Sequence, residues 1–357
     1  MRILALVTDA FGGSGGIAHY NRDLMTVLAS IEDVEEIIIV PRIAFKSRVS
    51  TPPKIRQKFA GRNRFFYALQ VLFCLLADGP FDVIFCGHLH LMPLAWILAK
   101  LLRKPLWLQL YGLESWDKPN FIRGPNVFDA ALVTVISRYT RSRFLSWSDI
   151  KPEKVKVLPN AVSDRFQPGP KSLQLQERYG TRNKKVLLTV GRLEKEEKYK
   201  GQDRVIGLLP RLAEQYSNIV YMIVGDGNDR SRLEAMVDER GISSSVIFVG
   251  AVSDEELPDI YRLADVFVMP STHEGFGFVF LEAAASGLPV LGGNRDGSVD
   301  ALRAGRDGLL VDPDNPEELL NGMKQLLENG KPNSDAAAVF SFSNFRNHVQ
   351  RLVTHLP

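Results

Sequence analysis

Two glutamates eight positions apart stand in MPSTHEGFGFVFLEAAASGLPV, the most specific stretch of the chain. Glu274 falls in a loop after an apolar strand. Glu282 falls on a helix expected to run from Phe278 until Gly287 and Pro289 stop it. A carboxylate accepting two hydroxyl hydrogen bonds is firmly oriented, and charge-assisted bonds are the stronger kind. Such a pair can grip two parts of one ligand, the loop carboxylate a sugar ring and the helix carboxylate a ribose diol. Gly275 and Gly277 let the backbone between them approach that ligand closely. The plainer reading, surface acids on an ordinary helix, fits poorly because their neighbours are so apolar and small.

Further upstream, in GRLEKEEKYKGQDRVI, Arg192 and Lys200 flank a charged turn that opens a helix at 201–202. Two cations and a helix N-terminus suit a diphosphate, whose departing charge must be stabilised when a glycosyl or phosphoryl bond breaks. A solvated charge run is the alternative, since Lys195 and Lys198 stand there too. The turn VGDGN, with Gly225, adds a second glycine-rich strand end.

Near the start, strand 3–7 is followed by TDAFGGSGGIAHY and then a helix. Gly13, Gly15 and Ala18 satisfy the G-x-G-x-x-G/A spacing, which brings backbone N–H groups close to phosphate. The same loop admits a nicotinamide nucleotide. That reading wants an acid at the end of the second strand, where Pro41 and Arg42 stand instead, so only NADP survives, through Arg42. His88 follows strand 83–86, with His90 two residues on, and QLYGLESW carries Tyr111 and Glu114. Asp312-Pro313-Asp314 has the form of a metal-binding D-x-D. Its position before Asn315-Pro316 marks it as a turn with an N-cap and a proline at the first helical position. No His/Cys cluster has zinc spacing.

These residues need strand ends to hold them. Apolar runs at 3–7, 37–40, 83–86, 106–110 and 131–136 read as buried strands, with helices such as 17–29 and 91–102 between them. A Pro/Gly-rich linker follows at 159–170, in NAVSDRFQPGP. The pattern then restarts with strands at 186–190, 220–224, 246–249, 266–269, 290–291 and 309–311, and an amphipathic helix closes the chain at 340–356. The expected class is α/β with two Rossmann-like doubly wound domains facing a cleft. Their expected bounds are 1–162, a linker at 163–170, 171–339, and a helix at 340–357 returning to the first domain.

Composition sets the outer limits. With 357 residues, 45% hydrophobic and 24% charged, the chain is globular and long enough for two domains. Two cysteines make no disulfide framework, Met1 runs straight into a strand, and the longest apolar stretch, 65–76, is short of a spanning helix. A cytoplasmic protein, peripheral at most to the inner membrane face, is expected. The net charge of +3 hides an asymmetry: residues 1–165 hold 22 Lys+Arg against 14 Asp+Glu. Within 41–64 stand Arg42, Lys46, Arg48, Lys54, Arg56, Lys58, Arg62 and Arg64 with no acid, directly before FFYALQVLFCLL. Cations beside an apolar helix suit an anionic membrane surface. The alternatives are a solvated loop leading into a core helix, or a nucleic-acid patch, which lacks any recognition motif.

The E-x7-E spacing of EGFGFVFLE, the GRLEKEEKYKG run, the GGSGG loop and VLPNAV together resemble family 4 of the retaining nucleotide-sugar glycosyltransferases. The likeness covers nearly the whole chain, most strongly 186–313, where AAASGLPVLGG and GLLVDP also match. It implies the GT-B architecture. It also implies transfer of a hexose from a UDP-sugar such as UDP-glucose, or from GDP-mannose, to a hydroxyl of a lipid-linked glycan in surface polysaccharide assembly. No cofactor or metal is implied. Arg192 and Lys200 would neutralise the donor diphosphate, Glu282 would hold the ribose, and Glu274 would contact the transferred sugar. Gly191, Gly225, Val252 and the backbone of Gly275, Phe276, Gly277 and Phe278 would complete the donor site, with Gly13, Ser14, Gly15 and Gly16 closing on it. His88 would lie by the reacting centre, with His90 in reserve, and Tyr111, Glu114 and Asn160 would serve the acceptor. Tyr111 departs from the histidine that related proteins often carry there, which puts a general-base role at that position in doubt. An NADP-dependent oxidoreductase and a non-catalytic nucleotide-sugar-binding protein are the alternatives.

Overall fold

A computed structural model describes residues 1–13, 15–43, 50–60, 63–119, 129–330, 335–354 and 356. The chain divides into two units, Met1–Ala161 with Ser343–Pro357, and Val162–Phe342.

Runs of Ile, Leu and Val that are apolar on both faces suit parallel strands covered on each side. In the first unit they form β1 (Arg2–Val7), β2 (Glu36–Pro41), β3 (Ile55–Gln57), β4 (Val83–Cys86), β5 (Leu106–Leu110), β6 (Leu132–Val135) and β7 (Val155–Val157). The sheet order is β3-β2-β1-β4-β5-β6-β7, parallel throughout. Helices α1 (Gly16–Ser30), α2 (Arg64–Asp78), α3 (Met92–Leu102) and α4 (Arg138–Leu145) connect the strands. Tyr67, Val71 and Cys74 of α2 share one core with Met92, Ala95 and Leu98 of α3 and Phe144 of α4.

The second unit repeats the plan with β8 (Lys185–Val190), β9 (Ile219–Val224), β10 (Val246–Gly250), β11 (Val266–Met269), β12 (Val290–Gly293) and β13 (Leu309–Val311), in the parallel order β10-β9-β8-β11-β12-β13. Its helices are α5 (Leu173–Tyr179), α6 (Gln202–Ala213), α7 (Arg230–Glu239), α8 (Leu257–Leu263), α9 (Phe278–Ala285), α10 (Ser298–Ala301), α11 (Pro316–Asn329) and α12 (Asp335–Val339). Val205, Ile206 and Leu209 of α6 pack with Leu319, Leu320 and Met323 of α11 in its core. The last helix, α13 (Phe342–Val353), belongs to the first unit, where the Phe345 ring stands edge-on to Tyr20 at 5.9 Å.

Each sheet grows outward from its first strand and then returns to that strand's other side. The reversals fall between β1 and β4, and between β8 and β11. Ligands of open α/β sheets bind outside the carboxyl ends of the strands at such switch points. The glycine loop follows β1, His88 follows β4, Arg192 follows β8 and Glu274 follows β11.

Two features differ from the sequence reading. β3 and β7, three residues each, escaped it because they are short and carry charge, as edge strands often do. β3 also runs through the basic window, which is therefore not a free cationic loop. Arg56 pairs with Glu36 at 2.5 Å and Asp78 at 3.1 Å, and Lys58 pairs with Asp78 at 2.8 Å. Lys54 Nζ donates to the carbonyls of Ile31 and Val34. Lys46, Arg48 and Arg62 lie outside the described residues.

Candidate active site

In the second unit, the β8 and β9 ends meet backbone to backbone. Gly191 N–H donates to Val224 O at 2.9 Å. Gly225, at φ +125°, admits no side chain, since a Cβ there would stand 2.0 Å from Gly191 O. Beside this seam, a 3-10 segment (Lys195–Lys200) carries Lys200 into the fold, where it is buried. Lys200 Nζ donates to Glu197 Oε2, and Arg192 Nη2 donates to Glu197 Oε1. Both cations thus converge on one carboxylate. Arg192 is otherwise open to solvent, with its side chain 69% exposed.

The loop after β11 is fixed by a residue that the sequence reading missed. Asp296 is fully buried and accepts from Ser271 Oγ at 2.8 Å, Glu274 N–H at 2.7 Å and Ser298 N–H at 2.9 Å. Gly297 N–H returns a bond to Glu274 O at 2.8 Å. Glu274 is thereby held by its main chain, and its carboxylate takes a backbone hydrogen bond from Gly275. Burial pushes that carboxyl up to about 7, opposed by Lys200 and aided by the charges of Asp296 and Glu197.

Gly277, at φ +88°, precedes α9, and a Cβ on it would strike the Phe280 ring at 2.5 Å. The Phe276 ring is buried edge-on to Phe340 at 5.5 Å, so only its main chain can serve a ligand. Gly275 is buried and Phe278 half-buried. Glu282 on α9 accepts the Tyr261 hydroxyl at 2.8 Å, and burial pushes its carboxyl up to about 7 as well. Tyr261 is the second missed residue, hidden in sequence among the apolar positions of α8. Val252 is half-buried just after β10.

The first unit holds the remaining candidates. Gly15, at φ +88°, caps α1 with no side-chain hydrogen bond, and Gly16 opens the helix. Gly13 leaves room for the Asp9 carboxylate, which a Cβ would overlap at 1.7 Å. Burial raises the Asp9 carboxyl above its usual range, against its bond to Ala10 N–H and the nearby Arg22. Ser14 lies outside the described residues.

His88 accepts His90 N–H at Nδ1 over 3.2 Å, capping a 3-10 turn (Leu89–Leu91). Burial and the neighbouring His90 lower its pKa to about 4. The neutral ring therefore carries its proton on Nε2, as a donor rather than a base. His90 is exposed and stacks on it at 4.9 Å.

Tyr111 is buried, and its hydroxyl donates to Asn21 Oδ1 at 2.6 Å, so it ties β5 to α1. Its N–H donates to Glu114 Oε1 at 2.5 Å, and burial raises the Glu114 carboxyl. Asn160 is buried, with Oδ1 unpaired among the described residues. Asp312 and Asp314 both bind Arg295, at 2.5 and 2.6 Å, and Asn315 caps α11 through Glu317 and Glu318 N–H. The D-x-D is a structural turn.

Comparison with known proteins gives the family and the fold. Residues 174–338 match the family model of glycosyl transferases group 1, and residues 14–166 match that of glycosyltransferase family 4. A GDP-mannose-dependent alpha-(1-6)-phosphatidylinositol monomannoside mannosyltransferase of Mycolicibacterium smegmatis is 35% identical over 207 residues, 56% of this chain and 53% of that protein. An alpha-D-kanosaminyltransferase of Streptomyces kanamyceticus is 28% identical over 219 residues, 60% of this chain and 55% of that protein. The chain spans about half the length of the curated relatives it matches. Among solved structures, Anabaena Alr3699/HepE in complex with UDP-glucose superposes with a TM-score of 0.78 at 20% identity, covering 100% of both chains. Sucrose-phosphate synthase from Thermosynechococcus elongatus gives 0.78 at 19%, covering 99% of this chain and 98% of that one. These two establish the GT-B fold. Neither the oxidoreductase nor the plain binding-protein alternative finds support in them. With its two parts matching the two family models, the chain belongs to the family 4, group 1 glycosyltransferases.

Proposed function

We propose that this protein transfers a hexose from a nucleoside-diphosphate sugar to a hydroxyl of a lipid-linked glycan, with retention of anomeric configuration. The observation that carries the reading is the convergence of Arg192 and Lys200 on a single anionic position beside Glu274. A diphosphate presents oxygens to both cations. As the bond from the anomeric carbon to the β-phosphate oxygen lengthens, negative charge collects on that oxygen. Preorganised cations act most strongly where charge develops, and in many enzymes this stabilisation outweighs every other source of rate enhancement. The acceptor oxygen then bonds to the anomeric carbon on the same face, and its proton passes to the departing phosphate oxygen. Glu274 takes hydroxyls of the sugar and Glu282 those of the ribose. His88 offers its Nε2 proton to a hydroxyl, and Glu114 serves the acceptor. With Asp312 and Asp314 committed to Arg295, the two cations replace a divalent metal. The M. smegmatis relative's name favours GDP-mannose, and the Anabaena complex UDP-glucose. Incubation with UDP-, GDP- and ADP-sugars tests the proposal. Slow release of free sugar from one donor supports it, and inertness toward all of them contradicts it.

A peripheral site at an anionic membrane completes the reading, now carried by α2 instead of the basic window. Phe65, Phe66, Leu69, Leu72, Phe73 and Leu76 form one exposed helical stripe, from 45% exposed at Leu69 to 81% at Leu76. The opposite face, Tyr67, Val71 and Cys74, is already in the core. A helix apolar on both faces needs two covers, and the protein supplies one. The exposed face carries no acid, Arg64 stands exposed at its start, and residues 1–165 are net cationic. That charge favours anionic headgroups over a second copy of the same face. Among the described residues, no helix is long and apolar enough to cross a membrane.

A further inference from the structure

We infer that Glu197 is an exchangeable counter-ion that occupies the diphosphate position of the second unit and sets its affinity for phosphate ligands. The inference rests on the donor reading above and adds a residue to it. Each carboxylate oxygen of Glu197 takes a different cation, Oε1 from Arg192 and Oε2 from Lys200. This is how two phosphate oxygens would be shared. The Glu197 side chain is only 12% exposed and Lys200 only 11%, so this half of the cluster is shielded, while Arg192 closes it from the solvent side. Glu197 also sits where the 3-10 segment departs from helical geometry, at φ −110° and ψ 20°. A change confined to that residue can move the carboxylate without unwinding α6.

The charges give the exchange its direction. One carboxylate leaves the two-cation cluster with an excess positive charge, and a diphosphate supplies more negative charge than the carboxylate it displaces. Carboxylate and phosphate cannot share the same donors without repulsion, so Glu197 departs as the phosphate arrives. Its bonds to the cations must be broken first, and the apparent affinity is lowered in proportion. Glu197 is thus a positioning residue: it keeps Arg192 and Lys200 in place before the donor binds and weakens the hold on the product diphosphate.

The test is calorimetric titration of the full chain with UDP, GDP and inorganic pyrophosphate, for wild type, E197Q and E197A. Glutamine keeps the shape and removes the charge. If either variant binds the nucleoside diphosphate recognised by the wild type, and pyrophosphate, about tenfold more tightly, the inference holds. KM for the donor then falls with it, and the Glu274 titration moves toward lower pH. Equal or weaker binding by both variants, with melting temperatures near that of the wild type, overturns it. A glutamate that merely braced the loop would give weaker binding. If folded wild type binds neither UDP nor GDP, the donor reading itself fails and this inference falls with it. Should E197A fail to fold, E197Q alone decides.

Discussion

Asp296 accepts the backbone N–H of Glu274 at 2.7 Å, so a residue outside the glutamate motif fixes where that motif presents its loop carboxylate. Removing it in D296A leaves Ser271 Oγ and two N–H groups without their acceptor. Each unsatisfied buried group costs about 1–3 kcal/mol. We expect a clear drop in the urea midpoint together with loss of donor hydrolysis. An active, fully stable D296A would show that the loop is held by other contacts.

In the proposed mechanism, loss of either cation removes charge stabilisation from the departing diphosphate. R192A and K200A should each raise the barrier by at least about 2–3 kcal/mol, roughly a 30- to 150-fold loss in turnover. Steady-state rates with the preferred donor check this. Turnover unchanged in K200A would remove Lys200 from the reaction.

The two half-buried glutamates give stability an unusual pH slope. Both are pushed up to about 7 in the fold by burial, whereas an unfolded glutamate ionises near 4.3. Between these values the native state binds more protons than the unfolded one. Ligand-free stability should therefore fall as pH rises from about 4.5 to 7 and level off above. Denaturation across that range, repeated on E282Q, should show a shallower slope in the variant. An identical slope would mean that Glu282 ionises normally.

His88 should stay neutral throughout the physiological range, because burial holds its pKa near 4. Its imidazole resonances should move only below pH 5. A titration near 6.5 would restore His88 as a candidate base.

Replacing the α2 stripe should abolish membrane binding without disturbing the core. Leu72 and Phe73 are 48% and 65% exposed, so L72E/F73E should fold normally and no longer sediment with phosphatidylglycerol vesicles. Equal sedimentation of the variant and wild type would exclude α2 as the docking face.

The sequence shows those parts of the molecule whose cause is local. Ile and Leu runs such as 3–7 and 186–190 announce buried parallel strands, and Asn315-Pro316 announces a helix start. Glu274, Glu282, Arg192 and Lys200 stand out because glycines or charges surround them. Asp296, Tyr261 and Glu197 do not, because their roles arise from contacts across the fold. Asp296 is 22 residues from Glu274 and Tyr261 is 21 from Glu282. Glu197 is hidden for the opposite reason, as one acid in a charge run. The basic window misleads in the same manner: only the folded chain shows that Glu36 and Asp78 neutralise Arg56 and Lys58.

A crystal of the full chain soaked with UDP or GDP addresses the central claim most directly. The account requires density for the two phosphates within hydrogen-bonding distance of Arg192 and Lys200, and the ribose hydroxyls on Glu282. A nucleotide bound with its phosphates away from both cations would contradict it.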